Sequence, residues 1–274
     1  MKKFSRRLAA TLMAHTLGAA ALVPLHSLAQ PVDAAASAKP TVVLVHGAFA
    51  DSSSWDAVVQ RLQARHYAVI AAANPLRGPA FDAAYVAGIV DAVKGPVVLV
   101  GHSYGGSVIS SAASGKANVK ALVYVAAFAP DAGETALGLT GKFPGSTLGP
   151  TLAPAVPLPD GGKDLYIQQD KFPAQFAADV PLAKARLMAV GQRPIAEAAL
   201  NEASQAPAWK SVPSWFIYGD RDKNIPPAAI AFMAERAHAK KAVVVKGASH
   251  VVMTSQPEAV ARLIAEAAGA TAAN

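Results

Sequence analysis

The chain has 274 residues, of which 53% are hydrophobic and 16% are charged, and it contains no cysteine. This apolar content excludes disorder as a description of the whole chain, and the absence of cysteine excludes disulfides, thiolate metal sites, iron–sulfur clusters and cysteine nucleophiles. The formal charge of +7 raises the question of a nucleic-acid partner, and the answer depends on where the cations lie.

The first 29 residues have the pattern of a secretory signal peptide. Four cations stand within residues 2–7, an apolar stretch covers 8–23, and small residues end the segment at Ala29. This order of basic, apolar and cleavable regions is typical of a segment that is removed on export. We therefore expect an exported protein, periplasmic or secreted, with no stable membrane insertion after cleavage. The general and twin-arginine export routes both remain open.

Removal of residues 1–29 also changes the meaning of the charge. This segment contains four cations and no acidic residue, so the formal charge falls from +7 to +3 when it is removed. The remaining Lys and Arg residues form no run interleaved with aromatic residues, as nucleic-acid binding would favour. We therefore expect no nucleic-acid partner.

Residues 30–39 are rich in Ala, Pro and Ser and predict a flexible lead-in, and residues 40–274 form the predicted folded domain. In this domain short β-branched runs alternate with longer segments of helical periodicity. The predicted strands are 41–45, 67–72, 97–100, 119–125, 214–218 and 242–245, and the predicted helices are 55–62, 80–93, 105–114, 226–238 and 257–268.

Strands that are buried on both faces and separated by helices indicate a parallel sheet with right-handed crossovers. We predict an α/β fold with a mostly parallel sheet of about six strands and helices on both faces.

The alternation stops between about residues 131 and 212, where prolines are frequent and only short helices are predicted, near 181–189 and 194–201. We interpret this segment as a helical cap insertion in a single α/β domain. Its large apolar side chains are candidates for lining a substrate pocket, although half or more of them are expected only to pack the cap onto the core. The candidates are Leu139, Phe143, Leu148, Tyr166, Phe172, Phe176, Met188 and Trp209.

A G-x-S-x-G sequence, centred on Ser103, follows the third predicted strand and opens a helix. Glycines on both sides of the serine permit the tight turn that lifts a serine hydroxyl above a sheet. We predict that Ser103 is a nucleophile. The competing interpretation is an ordinary glycine-rich turn, such as a phosphate site. A dinucleotide fingerprint is disfavoured because G-x-G-x-x-G is not present here.

A serine hydroxyl needs a general base within hydrogen-bond reach. Of the seven histidines, His15 and His26 leave with residues 1–29. His66 and His238 stand at exposed ends of helical patterns. His46 and His102 lie in glycine turns, where packing or backbone hydrogen bonds are expected. His250 remains. It follows the last predicted strand, at the same edge of the sheet as Ser103, and we predict that it is the base.

The base in turn needs a carboxylate that orients it. Asp220 and Asp222 follow the fifth predicted strand at this edge, and Asp131 follows the fourth. Composition alone does not separate Asp220 from Asp222. A tetrahedral oxyanion also needs hydrogen-bond donors, and we expect the backbone N–H groups of Tyr104 and of Ala48, in the turn after the first strand.

Four segments carry a family resemblance: VLVHGA at 43–48, GHSYGG at 101–106, GDRDKNIP at 219–226 and GASH at 247–250. Through them the chain resembles the α/β-hydrolase superfamily, of the serine-esterase type, and is similar to the methyl-ester esterase and hydroxynitrile lyase group and its bacterial relatives. In that family the acid lies in a G-x-x-D-x-x-(V/I)-P loop, which implies Asp222 rather than Asp220. The resemblance implies a catalytic triad that needs no cofactor or metal.

We therefore predict a secreted serine hydrolase that cleaves a small, predominantly apolar carboxylic ester through an acyl-enzyme. A hydroxynitrile lyase is the first alternative, but those lyases carry Lys directly after the catalytic histidine, where this chain has Val251. Perhydrolase or haloperoxidase activity would use the same triad. A ligand-binding receptor on the same fold is the remaining alternative, and the sequence predicts no oligomeric state.

Overall fold

The structure of the protein is a computed structural model that describes residues 39–272. The predicted signal peptide at 1–29 and all but the last residue of the predicted lead-in at 30–39 lie outside these residues. Within residues 39–272, every helix is too short or too polar to span a lipid bilayer.

A six-stranded parallel sheet forms the centre of the fold, with the strand order β2-β1-β3-β4-β8-β9. Its strands are β1 (Thr41–Val45), β2 (Val69–Ala72), β3 (Val97–His102), β4 (Val119–Val125), β8 (Ser214–Gly219) and β9 (Lys241–Val245). Every neighbouring pair is parallel. The prediction of a mostly parallel sheet of about six strands is therefore confirmed.

The burial of each strand explains its position in the sheet. Strands β1, β3 and β4 are almost wholly buried, as expected for continuous apolar runs covered on both faces. The edge strands β2 and β9 are more exposed. Strand β3 continues two residues beyond its predicted end, through Gly101 to His102, and so leads directly into the Ser103 turn.

Helices cover the sheet in two separate groups: α1 packs with α10, and α2 packs with α3. The helices outside the insertion are α1 (Asp56–Ala64), α2 (Pro79–Ala92), α3 (Gly105–Ala112), α8 (Pro227–Arg236), α9 (Val252–Ser255) and α10 (Pro257–Ala272). The short helix α9, directly after His250, is absent from the sequence prediction because four residues are too few to show helical periodicity.

The insertion between β4 and β8 differs from the predicted helical cap because it also contains a small antiparallel sheet. Its helices are α4 (Ala136–Gly141), α5 (Phe172–Phe176), α6 (Leu182–Gly191) and α7 (Glu197–Asn201), and its strands are β5 (Val156–Pro157), β6 (Lys163–Leu165) and β7 (Ile195–Ala196). Strands of two or three residues are too short to show an alternating pattern in the sequence. The Arg77 guanidinium links the core to this sheet through the Asp164 carboxylate at 2.7 Å.

Candidate active site

Ser103 lies in the turn between β3 and α3 with a backbone φ of 54°, in the left-handed region that is unfavourable for a residue with a side chain. Two backbone hydrogen bonds join it to β4 and the segment that follows β4. Its N–H donates to the carbonyl of Val125 at 3.2 Å, and its carbonyl accepts from the N–H of Phe128 at 3.1 Å. The end of β4 and the segment after it therefore support the strained turn that presents the Ser103 hydroxyl.

Two glycines allow this turn to pack tightly. A Cβ atom on Gly105 would stand 2.6 Å from the carbonyl oxygen of Val45, so helix α3 begins in contact with the end of β1. A Cβ atom on Gly47 would stand 2.6 Å from the Cβ of Ser103. The turn after β1 and the Ser103 turn can therefore meet only because both glycines lack a side chain.

The side chains of Ser103, His250 and Asp222 form one chain of hydrogen bonds. His250 Nε2 lies 2.9 Å from Ser103 Oγ, and His250 Nδ1 lies 2.6 Å from Asp222 Oδ2. The three residues come from the ends of β3, β9 and β8, which parallel pairing brings to one edge. All are buried, with exposed fractions of 6%, 1% and 4% for Ser103, His250 and Asp222.

Backbone donors orient the Asp222 carboxylate. Its Oδ1 accepts hydrogen bonds from the N–H groups of Asn224 at 2.8 Å and Ile225 at 3.0 Å. Oδ2 is left to face His250 Nδ1. Because a carboxylate has only acceptors, Nδ1 is the protonated nitrogen, and Nε2 of the neutral ring is free to accept the Ser103 proton.

The other two carboxylate candidates lie elsewhere. Asp220 Oδ1 accepts the N–H of Gly247 at 2.6 Å and so closes the loop after β9. Asp131 forms a surface ion pair with Lys210 Nζ at 2.5 Å, and the Lys210 hydrogen bond lowers the pKa of the Asp131 carboxyl. The geometry therefore brings Asp222 to His250 and leaves Asp220 and Asp131 in structural contacts.

The predicted oxyanion donors, Ala48 and Tyr104, line the same cavity as Ser103 and His250. Within residues 39–272 neither backbone N–H donates a hydrogen bond, whereas the next amide, Phe49 N–H, is bound to the Arg193 carbonyl at 3.0 Å. Both N–H groups are thus free for a ligand. Their role in binding an oxyanion stays a prediction.

Asp82 is a residue of this region that the sequence reasoning missed. Its buried carboxylate accepts a hydrogen bond from the Tyr104 hydroxyl at 2.8 Å, and burial raises the pKa of both groups. The contact anchors Tyr104, the residue that follows Ser103, to helix α2. A carboxylate in the first turn of the apolar helical pattern at 80–93 was the available signal.

The cavity in front of Ser103 has a volume of about 140 Å³. Of the eight predicted lining residues, only Leu148 and Phe176 contact it. The other cap residues that line it were not predicted: Ala136, Leu137, Thr140, Ser146, Gly149, Leu152 and Leu200. No Lys, Arg, Asp or Glu of the described residues lines this cavity, so its surface suits an uncharged, mainly apolar ligand.

His46 is a fully buried side chain in the turn after β1. Its Nε2 accepts the N–H of Asn74 at 3.0 Å, so the proton is on Nδ1, which contacts the Gly47 carbonyl at 3.0 Å. Burial lowers the pKa of His46 from 6.5 to about 4. Protonation of the ring would break the hydrogen bond from Asn74, so His46 holds its position as a neutral side chain.

This low pKa predicts loss of stability in mild acid. The unfolded chain takes up a proton on His46 near pH 6.5, whereas the folded chain does so only near pH 4, so stability falls as the pH drops through this window. Between about pH 7.5 and about pH 4.5, we expect the unfolding free energy of the wild type to fall by about 2 to 3 kcal/mol more than that of His46→Gln, measured by urea denaturation. If the unfolding free energies of the wild type and of His46→Gln fell by equal amounts, the assignment of His46 as a buried neutral side chain would be contradicted.

Residues 39–272 contain no group of three or more His, Asp or Glu side chains that could bind a metal ion.

Residues 42–263 match the alpha/beta hydrolase family, and the chain belongs to this family. One relative, the alpha/beta hydrolase nvfD of Aspergillus novofumigatus, is 24% identical over 251 residues, which cover 84% of this chain and 97% of that protein.

Several solved structures share the fold. Polyneuridine aldehyde esterase superposes with a TM-score of 0.72 at 20% identity, over 83% of this chain and 98% of its own. A pyrethroid hydrolase from Sphingobium faniae JZ-2 gives a TM-score of 0.66 at 24% identity, over 86% of this chain and 99% of its own. Tomato methylketone synthase I gives 0.70 at 19% identity, over 85% and 99% of the two chains. At these identities the likeness shows a common fold.

Proposed function

We propose that the protein is a serine hydrolase that cleaves small, predominantly apolar carboxylic esters. The observation that carries this proposal is the buried chain of hydrogen bonds from Ser103 through His250 to Asp222, which opens onto an uncharged cavity. Two proteins with the same fold support the proposal by their activities: one is polyneuridine aldehyde esterase, and the other is a pyrethroid hydrolase.

In the proposed reaction Ser103 Oγ attacks the ester carbonyl carbon while His250 Nε2 takes the hydroxyl proton. Asp222 stabilises the imidazolium that forms, and the N–H groups of Ala48 and Tyr104 stabilise the oxyanion of the tetrahedral intermediate. His250 then gives its proton to the leaving alcohol, and an acyl-enzyme remains on Ser103. A water molecule, deprotonated by His250, attacks this acyl group and releases the acid with the serine regenerated.

The size of the cavity supports a small substrate group. Its volume of about 140 Å³ is close to that of an engineered apolar cavity of about 150 Å³ that binds one benzene molecule. An acyl or alcohol group up to roughly the size of one aromatic ring therefore fits inside it. A longer linear chain would have to extend past the exposed side chain of Leu137 at the cavity wall.

The same surroundings favour hydrolysis over the lyase alternative. A leaving cyanide needs a neighbouring cation, and the position after His250 holds the fully buried Val251. Among the described residues that line the cavity, none is Lys or Arg. Release of cyanide from mandelonitrile above the uncatalysed background would reverse this preference.

A series of p-nitrophenyl esters tests the proposal. We expect kcat/KM for the acetate and butyrate to exceed that for the octanoate by about tenfold or more, because the longer chain is not enclosed. The assay uses protein recovered from the exported fraction, since we also propose that residues 1–29 direct export and that the mature chain begins at Gln30. Absence of hydrolysis of all three esters would contradict the function, and recovery of only the uncleaved chain would contradict export.

A further inference from the structure

His102 directly precedes the nucleophile, and the triad mechanism gives it no task. Its side chain is completely buried, and its ring centre lies 4.8 Å from that of His250. Its Nε2 lies 3.1 Å from the backbone carbonyl oxygen of His250. The residue next to the nucleophile is therefore bound to the backbone of the base.

This contact determines the tautomer of His102. A carbonyl oxygen only accepts hydrogen bonds, so Nε2 carries the proton and donates it. The other ring nitrogen, Nδ1, is buried and has no hydrogen-bond partner among residues 39–272. In the neutral ring Nδ1 is unprotonated, and no group of the described chain competes with the His250 carbonyl for the ring.

The surroundings of His102 keep its ring in place and neutral. Trp55 and Phe176 pack nearly perpendicular to it, with ring centres at 6.4 and 6.2 Å from that of His102. The titratable groups that face it are His250 and His46, and burial lowers the pKa of His102 well below its ordinary value. His102 therefore adds no positive charge beside His250 when that ring becomes an imidazolium.

We propose that His102 is a positioning residue, which holds the His250 ring against Ser103 by donating its Nε2–H to the His250 carbonyl. The inference rests on the proposed hydrolase function and extends it. His250 follows a strand on a loop, and its 2.9 Å contact with Ser103 depends on the position of that loop. The His102 hydrogen bond ties this loop to the end of β3, on which the nucleophile is carried.

Two substitutions separate the hydrogen bond from the packing. His102→Gln can place an amide N–H where Nε2 stands, whereas His102→Phe keeps a flat ring between Trp55 and Phe176 but has no donor. We expect His102→Gln to keep kcat within about threefold of the wild type, and His102→Phe to lower kcat by about 10- to 100-fold with little change in KM. The active fraction of each protein is titrated with a serine-directed fluorophosphonate. Equal losses of kcat in the two variants would overturn the proposal.

A double-mutant cycle gives a readout that a merely structural role would not change. If His102 acts through His250, then in an Asp222→Asn background, where His250 carries its proton on Nε2 and no longer acts as the base, His102→Phe should lower kcat by less than about threefold. If His102→Phe lowered kcat by the same factor in the wild-type and the Asp222→Asn backgrounds, a positioning role would be contradicted.

The third measurement uses the wild-type protein and does not depend on the folding of any variant. In ¹⁵N-histidine-labelled protein at about pH 8, we expect NMR to show His102 as the neutral Nε2–H tautomer. An Nδ1–H tautomer would overturn the proposal. Failure of the proposed function itself is distinguishable, because it would appear as absent ester hydrolysis in the wild type.

Discussion

Replacement of Ser103 by alanine is expected to lower kcat/KM for p-nitrophenyl acetate by about 10⁴- to 10⁶-fold. The substitution removes the hydroxyl that lies 2.9 Å from His250 Nε2, and with it the oxygen to which the acyl group is proposed to bond. The predicted oxyanion donors and the cavity would remain, so a small residual rate above that in water is consistent with the proposed mechanism. The values of kcat/KM for the variant and the wild type are obtained from initial rates measured over a range of substrate concentrations.

Ser107→Ala is the matched control for this substitution. Ser107 lies one turn further along the chain in α3, is also buried, and its hydroxyl has no hydrogen-bond partner in the described structure. We expect this variant to keep kcat/KM within about twofold of the wild type. If Ser103→Ala turned over ester as fast as Ser107→Ala, Ser103 would not be the nucleophile.

Replacement of Asp222 by asparagine is expected to lower kcat by about 10⁴-fold, as the loss of the orienting carboxylate does in the serine protease triad. Asparagine can still accept the N–H groups of Asn224 and Ile225 through its oxygen. Its NH₂ group would then face His250 Nδ1 and favour the tautomer that carries the proton on Nε2. That tautomer cannot accept the Ser103 proton.

Asp220→Asn is the matched control, two residues away in the same loop. Asparagine can accept the Gly247 N–H that Asp220 now accepts, so we expect kcat to change by less than about threefold. Both variants are compared with the wild type by steady-state kinetics after titration of active protein. A large loss from Asp220→Asn with none from Asp222→Asn would show that the resemblance selected the wrong carboxylate.

The strands could be predicted because each is a local apolar run. Strand β4 has the predicted bounds, and six of its seven residues are buried, with only Lys120 exposed. The three short strands of the cap could not be predicted in this way. Strands β5, β6 and β7 exist because they pair with one another across loops, and their sequences carry no periodic signal of their own.

The sequence by itself determined the sheet, the glycine turn at Ser103 and the edge at which His250 and the carboxylates emerge. These features follow from local apolar periodicity and from the rule that parallel strands end at the same edge. The distances between these side chains could not be derived from the sequence. The choice between Asp220 and Asp222 depended on a family resemblance.

Only the tertiary structure decided which groups meet. Ser103 and His250 are 147 residues apart, and their contact at 2.9 Å depends on the packing of β3 against its neighbours. The shape of the cavity and the link from His102 to the His250 carbonyl likewise depend on distant segments. Contacts of this range are set by the summed packing of the whole domain, and no local pattern of residues contains that information.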